Sequence, residues 1–143
     1  MKLYSNDFED GGLLPEKFTC NGDGARPSLL WTDVPGEAQS LAITLVDPDA
    51  PGGDYVHWIL AEIPPDVSSL DFDDIVGLEL TNTSGSIGYV APCPPSGQHH
   101  YNFTLYALDI LKLEREADQN FFDTVRPHII EQSRITAIYG QRL

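Results

Sequence analysis

At 143 residues the chain has room for one domain around a single apolar core, and its 41% aliphatic and aromatic residues are too many for a disordered polymer. The 22 acidic against 8 basic side chains leave a formal charge of -14, a field that repels nucleic acid and anionic membranes and confines any anion site to a local pocket. No run approaches the roughly 18 apolar residues of a membrane span and the amino terminus lacks a signal-like apolar stretch, so one domain over 1–143, in the cytoplasm and without stable membrane insertion, is expected.

The acid surplus reads either as a solubility device or as adaptation to a salty cytosol. Cys20 and Cys93 are too few for a disulfide scaffold and lack the spacing of a zinc site; they are a pair or two separate thiols.

In chain order, the first clear strand is LAITLVD at 41–47, followed by YVHWILAEI at 55–63 and YNFTLYALD at 101–109, each β-branched or aromatic and bounded by Gly, Pro or Asp. Helical periodicity appears only in ADQNFFDTVRPHIIEQS, where Asp118 is placed to cap a short helix and Pro127 to start a second. A last strand, ITAIYG at 135–140, follows it. Prolines in VPG, DPDAP, IPP, APCPP and RPH mark turns. With no strand-helix alternation and no repeat, the expected class is mostly β: a two-sheet antiparallel sandwich with a short helical segment near the carboxyl terminus.

Alternation along the third strand puts His99, Tyr101, Phe103, Leu105 and Ala107 on one face and His100, Asn102, Thr104 and Tyr106 on the other. The same rule puts His57 with Tyr55, Ile59, Ala61 and Ile63. A lone histidine at a strand end is usually a half-buried residue bonded to backbone. Here two strands each open an apolar stripe with one, and each follows a loop stiffened by prolines, DPDAPGGDY and APCPPSGQ, so polar groups are expected to converge on a pocket at one end of the sandwich. A carboxylate such as Asp47 beside an imidazole would favour its charged form or hold one tautomer.

DPDAP followed by HW, then YVAPCPPSGQHHY, resembles the two signature regions of the phosphatidylethanolamine-binding protein family, also called the Raf kinase inhibitor protein family, in its short bacterial and archaeal branch. The likeness runs from KLYSNDFEDGG to ITAIYG. It implies an antiparallel two-sheet fold and a small pocket for phosphate-like anions or phosphoethanolamine head groups. On this sequence the pocket residues would be Asp47, Asp49, Pro51, His57, Pro94, Pro95, His99 and Tyr101. Two positions depart from the family pattern: His100 stands where Arg is usual, without its bidentate fork, and Ala91 where Gly is usual. Longer eukaryotic members carry a carboxyl-terminal helix that gates the pocket, whereas this sequence ends at Leu143. In this resemblance the loop of Cys20 runs near the second signature loop, so the cysteines are expected close together, and reduced in a cytoplasmic setting.

The expected function is a non-catalytic binding or regulatory protein for a small phosphate-bearing ligand, with no cofactor and with homodimer formation left open. Inhibition of a kinase or protease is a further role in such families, which no residue here assigns. The alternative is a small hydrolase using a metal held by these acids and histidines, or Cys93 with His99 as its base.

Overall fold

Leu41, Ala42, Ile43 and Leu45 are all wholly buried although neighbouring side chains along a strand point to opposite faces, which requires a sheet covered on both sides. The computed structural model describes residues 1–74, 76–114 and 117–140, with the side chains of 117–119, and hence the expected Asp118 cap, outside that description. In chain order the strands are β1 (Lys2–Tyr4), β2 (Leu29–Thr32), β3 (Ser40–Asp47), β4 (Tyr55–Ile63), β5 (Ser69–Leu70), β6 (Leu78–Glu79), β7 (Gln98–Leu108) and, after helix α1 (Ala117–Val125), β8 (Ile129–Gly140). All the pairings are antiparallel: a large sheet ordered β6-β4-β3-β7-β8 and a small one ordered β1-β2-β5.

The inner core lies between the sheets, where Leu3, Leu29, Trp31 and Leu70 of the small sheet meet Ile43, Leu45, Trp58, Phe103 and Leu105 of the large one. The outer face of the large sheet is covered in part by α1, whose Phe121 and Val125 pack on Ala42, Ile59, Ala61, Tyr106 and Leu108. The two-sheet class with a short helix near the carboxyl terminus is the one expected. The central strands read as near-continuous apolar runs because α1 adds a third layer.

One expectation holds only in part after α1. Pro127 does lie in the first turn of a second helix, but that helix is a 3-10 helix of three residues, Arg126–His128, and IIEQS is the first half of β8. Ser133, Gln132, Glu131 and Ile129 pair with Leu105, Tyr106, Ala107 and Leu108 of β7. That ladder satisfies the segment's backbone groups and overrides its helix-like spacing of apolar residues.

The outer edge of β8 is itself occupied. Gly11 N–H donates to the Thr136 carbonyl (2.7 Å), Leu14 N–H to the Ile138 carbonyl (2.9 Å), and Ile138 N–H to the Gly12 carbonyl (2.9 Å). Asp10 adds a side-chain acceptor for Thr136 N–H at 2.8 Å.

Arg26, 8% exposed, lies with its guanidinium carbon 4.9 Å from the centre of the Trp58 ring and donates to the backbone carbonyls of Phe72 and Asp74. It pins two loops against the inner core, and burial pulls its pKa down against the opposing charge of Glu79.

Candidate functional site

The end of the inner core opens into a cavity of about 280 Å³ whose walls come from the loop after β3, the start of β4, the segment before β7 and the start of β7. Asp47, Pro51, His57, Pro94, Pro95, His99 and Tyr101 line it, as expected. So do Ala50, Tyr55, Val90, Ala91 and Cys93, which the sequence reading had not assigned to the site. Tyr55 stood on the expected face of His57, so alternation alone could have found it; Val90 acts through its backbone and left no side-chain signal.

His57 reaches this cavity by a route that strict alternation misses. Val46 pairs with Val56 and Leu45 with Trp58, so His57 is the extra residue of a β-bulge. The bulge re-aims the strand. Trp58 and Leu60 enter the inner core while Ile59 and Ala61 face α1, so His57 does not share a face with Ile59 and Ala61 as expected. The face of β7 is as expected: His99 and Tyr101 line the cavity, and Phe103, Leu105 and Ala107 continue into the core.

Each buried histidine has one ring nitrogen already committed. His57 Nδ1 lies 2.7 Å from the Val90 carbonyl oxygen, which can only accept, so Nδ1 carries hydrogen and Nε2 is left for the cavity. His99 Nδ1 lies 2.6 Å from Asp47 Oδ2, with the histidine 6% and the aspartate 3% exposed. The other oxygen of Asp47 accepts Asp49 N–H at 2.7 Å, so this acid orients a ring and a loop. It answers what a carboxylate does here: it sets the tautomer of His99.

Asp49 does not line the cavity. Its Oδ2 accepts from both the backbone N–H and the ring Nδ1 of His100, each at 2.7 Å, and these bonds hold its pKa below the ordinary carboxylate value. His100 thus makes the brace between the two signature loops that an arginine would make with a fork.

Tyr101 supplies the third polar group. Its ring centroid is 5.5 Å from that of His57 and 6.4 Å from that of His99, and its buried hydroxyl has no hydrogen-bond partner. Burial, reinforced by Asp47 and Asp49, pushes the phenol pKa up, so the group stays a neutral O–H. No Lys or Arg lines the cavity among the described residues.

Burial pulls the His57 imidazole below its ordinary value of about 6.5, against the pull of the Val90 carbonyl and Asp47. The unfolded chain therefore binds this proton more readily than the folded one. The fold is unaffected by it above about pH 6.5 and loses stability as pH falls below that toward the folded value. Urea midpoints measured from neutral to mildly acid pH should fall more steeply for the natural protein than for His57→Gln; equal slopes would remove His57 from the acid response.

Cys20 and Cys93 are joined by a disulfide with a Cα separation of 5.3 Å. The proximity is as expected, and the reduced state expected for a cytoplasmic protein is not the one present.

The phosphatidylethanolamine-binding protein family model matches residues 4–140. A UPF0098 protein of Methanothermobacter thermautotrophicus is 39% identical over 97% of this chain and 98% of its own length, and one of Chlamydia pneumoniae is 40% identical over the same shares. A protein of Mycobacterium tuberculosis named provisionally as the lipoprotein LppC is 43% identical over 77% of this chain and 56% of its own length. Among solved structures, CT736 of Chlamydia trachomatis, described as a homolog of the phosphatidylethanolamine-binding proteins, superimposes with a TM-score of 0.91 at 36% identity, covering 98% of this chain and 97% of that one. Escherichia coli YbcL, described as a member of the mammalian family, gives a TM-score of 0.87 at 28% identity over 99% and 98%. With the paired loops, the histidine cavity and these likenesses in agreement, the chain belongs to the phosphatidylethanolamine-binding protein family.

Proposed function

We propose that the chain is a non-catalytic binding or regulatory protein whose cavity takes a small phosphate-bearing ligand, either a free phosphate-like anion or a phosphoethanolamine-type head group. The observation that carries this reading is the convergence of three polar groups on an otherwise apolar cavity: two imidazoles locked at Nδ1, and the unpartnered hydroxyl of Tyr101. The phosphatidylethanolamine-binding description carried by the family and by CT736 is compatible with a head group of this kind.

The locked tautomer of His57 refines the ligand. A neutral ring that gives Nδ1–H to Val90 presents a lone pair at Nε2, so it accepts rather than donates. It suits an ammonium group or the hydroxyl of a monoprotonated phosphate, whose second pKa is about 6, better than a bare oxyanion. Tyr101 O–H remains to donate to a phosphate oxygen, while His99, with Nδ1 committed to Asp47, presents its Nε2 to the phosphate hydroxyl as His57 does.

Two observations favour binding over the hydrolase alternative. Cys93 Sγ is bonded to Cys20 and has no thiolate to attack with. Among the described residues, no group of three His, Cys, Asp or Glu side chains is arranged to hold a metal ion. Inhibition of a kinase or protease would need a surface as well as this cavity, and stays outside the proposal. No helix among the described residues is long and apolar enough to cross a membrane. An oxidising compartment would keep the disulfide and a reducing cytoplasm would open it, which alkylation of thiols in intact cells distinguishes.

Titration with inorganic phosphate and with phosphoethanolamine, followed by NMR of the imidazole rings, tests the assignment. Saturable shifts at both His57 and His99 are expected, and rings that do not respond to millimolar ligand would overturn it. Tyr101→Phe separates binding from folding. The hydroxyl has no partner to lose, so stability should hold or rise by up to about 1 kcal/mol while phosphate affinity falls. A clear loss of stability would mean that the hydroxyl serves the fold.

A further inference from the structure

The segment from Val90 to Gln98 forms one wall of the cavity and has unusually few ties of its own. At its start Val90 N–H donates to the His57 carbonyl at 2.9 Å, and at its end Gln98 enters β7 opposite Gly140. Between them Pro92, Pro94 and Pro95 have no amide hydrogen to give. After the Val90 carbonyl, which accepts from His57 Nδ1 at 2.7 Å, the hydrogen bonds and cross-links that join this stretch to the rest of the chain, among the described residues, are the bond from Cys20 N–H to the Pro92 carbonyl at 3.0 Å and the Cys20–Cys93 disulfide.

Nothing solid stands behind that wall. Cys93, Pro94 and Pro95 line the main cavity on one side and a second cavity of about 250 Å³ on the other, which Cys20, Asn21 and Tyr139 close. The rim is thus a thin partition held at its middle by one covalent cross-link. Both half-cystines are exposed, so a thiol in solution can reach the bond.

We propose that the Cys20–Cys93 disulfide is a redox latch on the ligand cavity: oxidised, it holds the proline rim closed against His57 and His99, and reduced, it frees the rim and weakens binding. The chemistry is exchange with a dithiol. One reductant thiolate attacks a protein sulfur, the protein S–S bond breaks to a mixed disulfide and releases one cysteine, and the second reductant thiolate then attacks the reductant sulfur of that mixed disulfide and displaces the other cysteine. The products are an oxidised dithiol and two cysteine thiols, which take up the two protons. The released rim must then be re-ordered at every binding event, which lowers affinity by about tenfold.

This inference rests on the reading of the cavity as a phosphate-ligand site, so its test has one readout that needs no ligand. Hydrogen exchange would be compared at Ala91, Cys93, Ser96 and Gly97 in oxidised protein, in protein reduced with dithiothreitol, and in the Cys20→Ser/Cys93→Ser variant. Exchange should speed up at these amides while those of β3 and β7 stay protected. Unchanged rim exchange, or a loss of protection spread over the whole core, overturns the latch. In parallel, phosphoethanolamine affinity should fall by about tenfold on reduction and return on reoxidation; equal affinity in both states also overturns it. If neither state binds, the ligand reading falls instead, and the latch is judged on exchange alone.

Discussion

Breaking the Cys20–Cys93 bond is expected to lower the stability of the fold by about 4 kcal/mol, the value the chain-entropy model gives for half-cystines 73 residues apart. The loop so closed contains β2 through β6, and with them two of the three strands of the small sheet and three of the five of the large one. Most of the effect acts on the unfolded chain, whose freedom the cross-link restricts. The rest acts on the rim. In a domain of this size the loss corresponds to a fall in melting temperature of roughly 10 °C. Equilibrium urea unfolding of oxidised protein and of the double-serine variant is the measurement, and the variant should also show a steeper dependence on urea because its unfolded state is more expanded. A difference below about 1 kcal/mol would mean that strain in the native loop cancels the entropic gain.

His99→Ala should weaken phosphate binding by roughly 10- to 150-fold, which corresponds to the loss of one charge-assisted hydrogen bond of about 1.5–3 kcal/mol. Removing the ring also strips Asp47, 3% exposed, of its side-chain partner, so this variant risks its fold. His99→Gln keeps an N–H for Asp47 while withdrawing the ring nitrogen from the cavity. Calorimetric titration of both variants, with folding checked by circular dichroism, separates the roles. A folded variant with natural affinity would show that the ligand is held without His99.

The main strands and both loops were legible because their signals are local. LAITLVD, YVHWILAEI and YNFTLYALD are long enough to show strand composition, and APCPP can only be irregular backbone. β1, β2, β5 and β6, of two to four residues each, are too short for a period to register. Seven of the eight expected site residues line the cavity, and Asp49 is the exception because His100, its neighbour on the opposite loop, captures its carboxylate. Alternation put His57 on the cavity side but could not show that Ile59 and Ala61 turn to the outer face, since a bulge is a property of two strands in register and the partner of Val56 is fixed by β3. The same holds for IIEQS. Its apolar spacing suits a helix after Pro127, and only the presence of β7 beside it makes it a strand.

The residues that hug β8 bear on a hazard common to open sheets. An unpaired strand edge is a template on which a second copy can add its own strand and so seed fibres. Here the exposed backbone of Thr136 and Ile138 is already bonded to Asp10, Gly11, Gly12 and Leu14, so the chain blocks its own edge with its amino-terminal arm. Resistance to self-templating is therefore set by how firmly that arm stays down. Loosening it by loss of the Asp10 carboxylate would expose a ready-made pairing surface while leaving the residues that line the cavity in place.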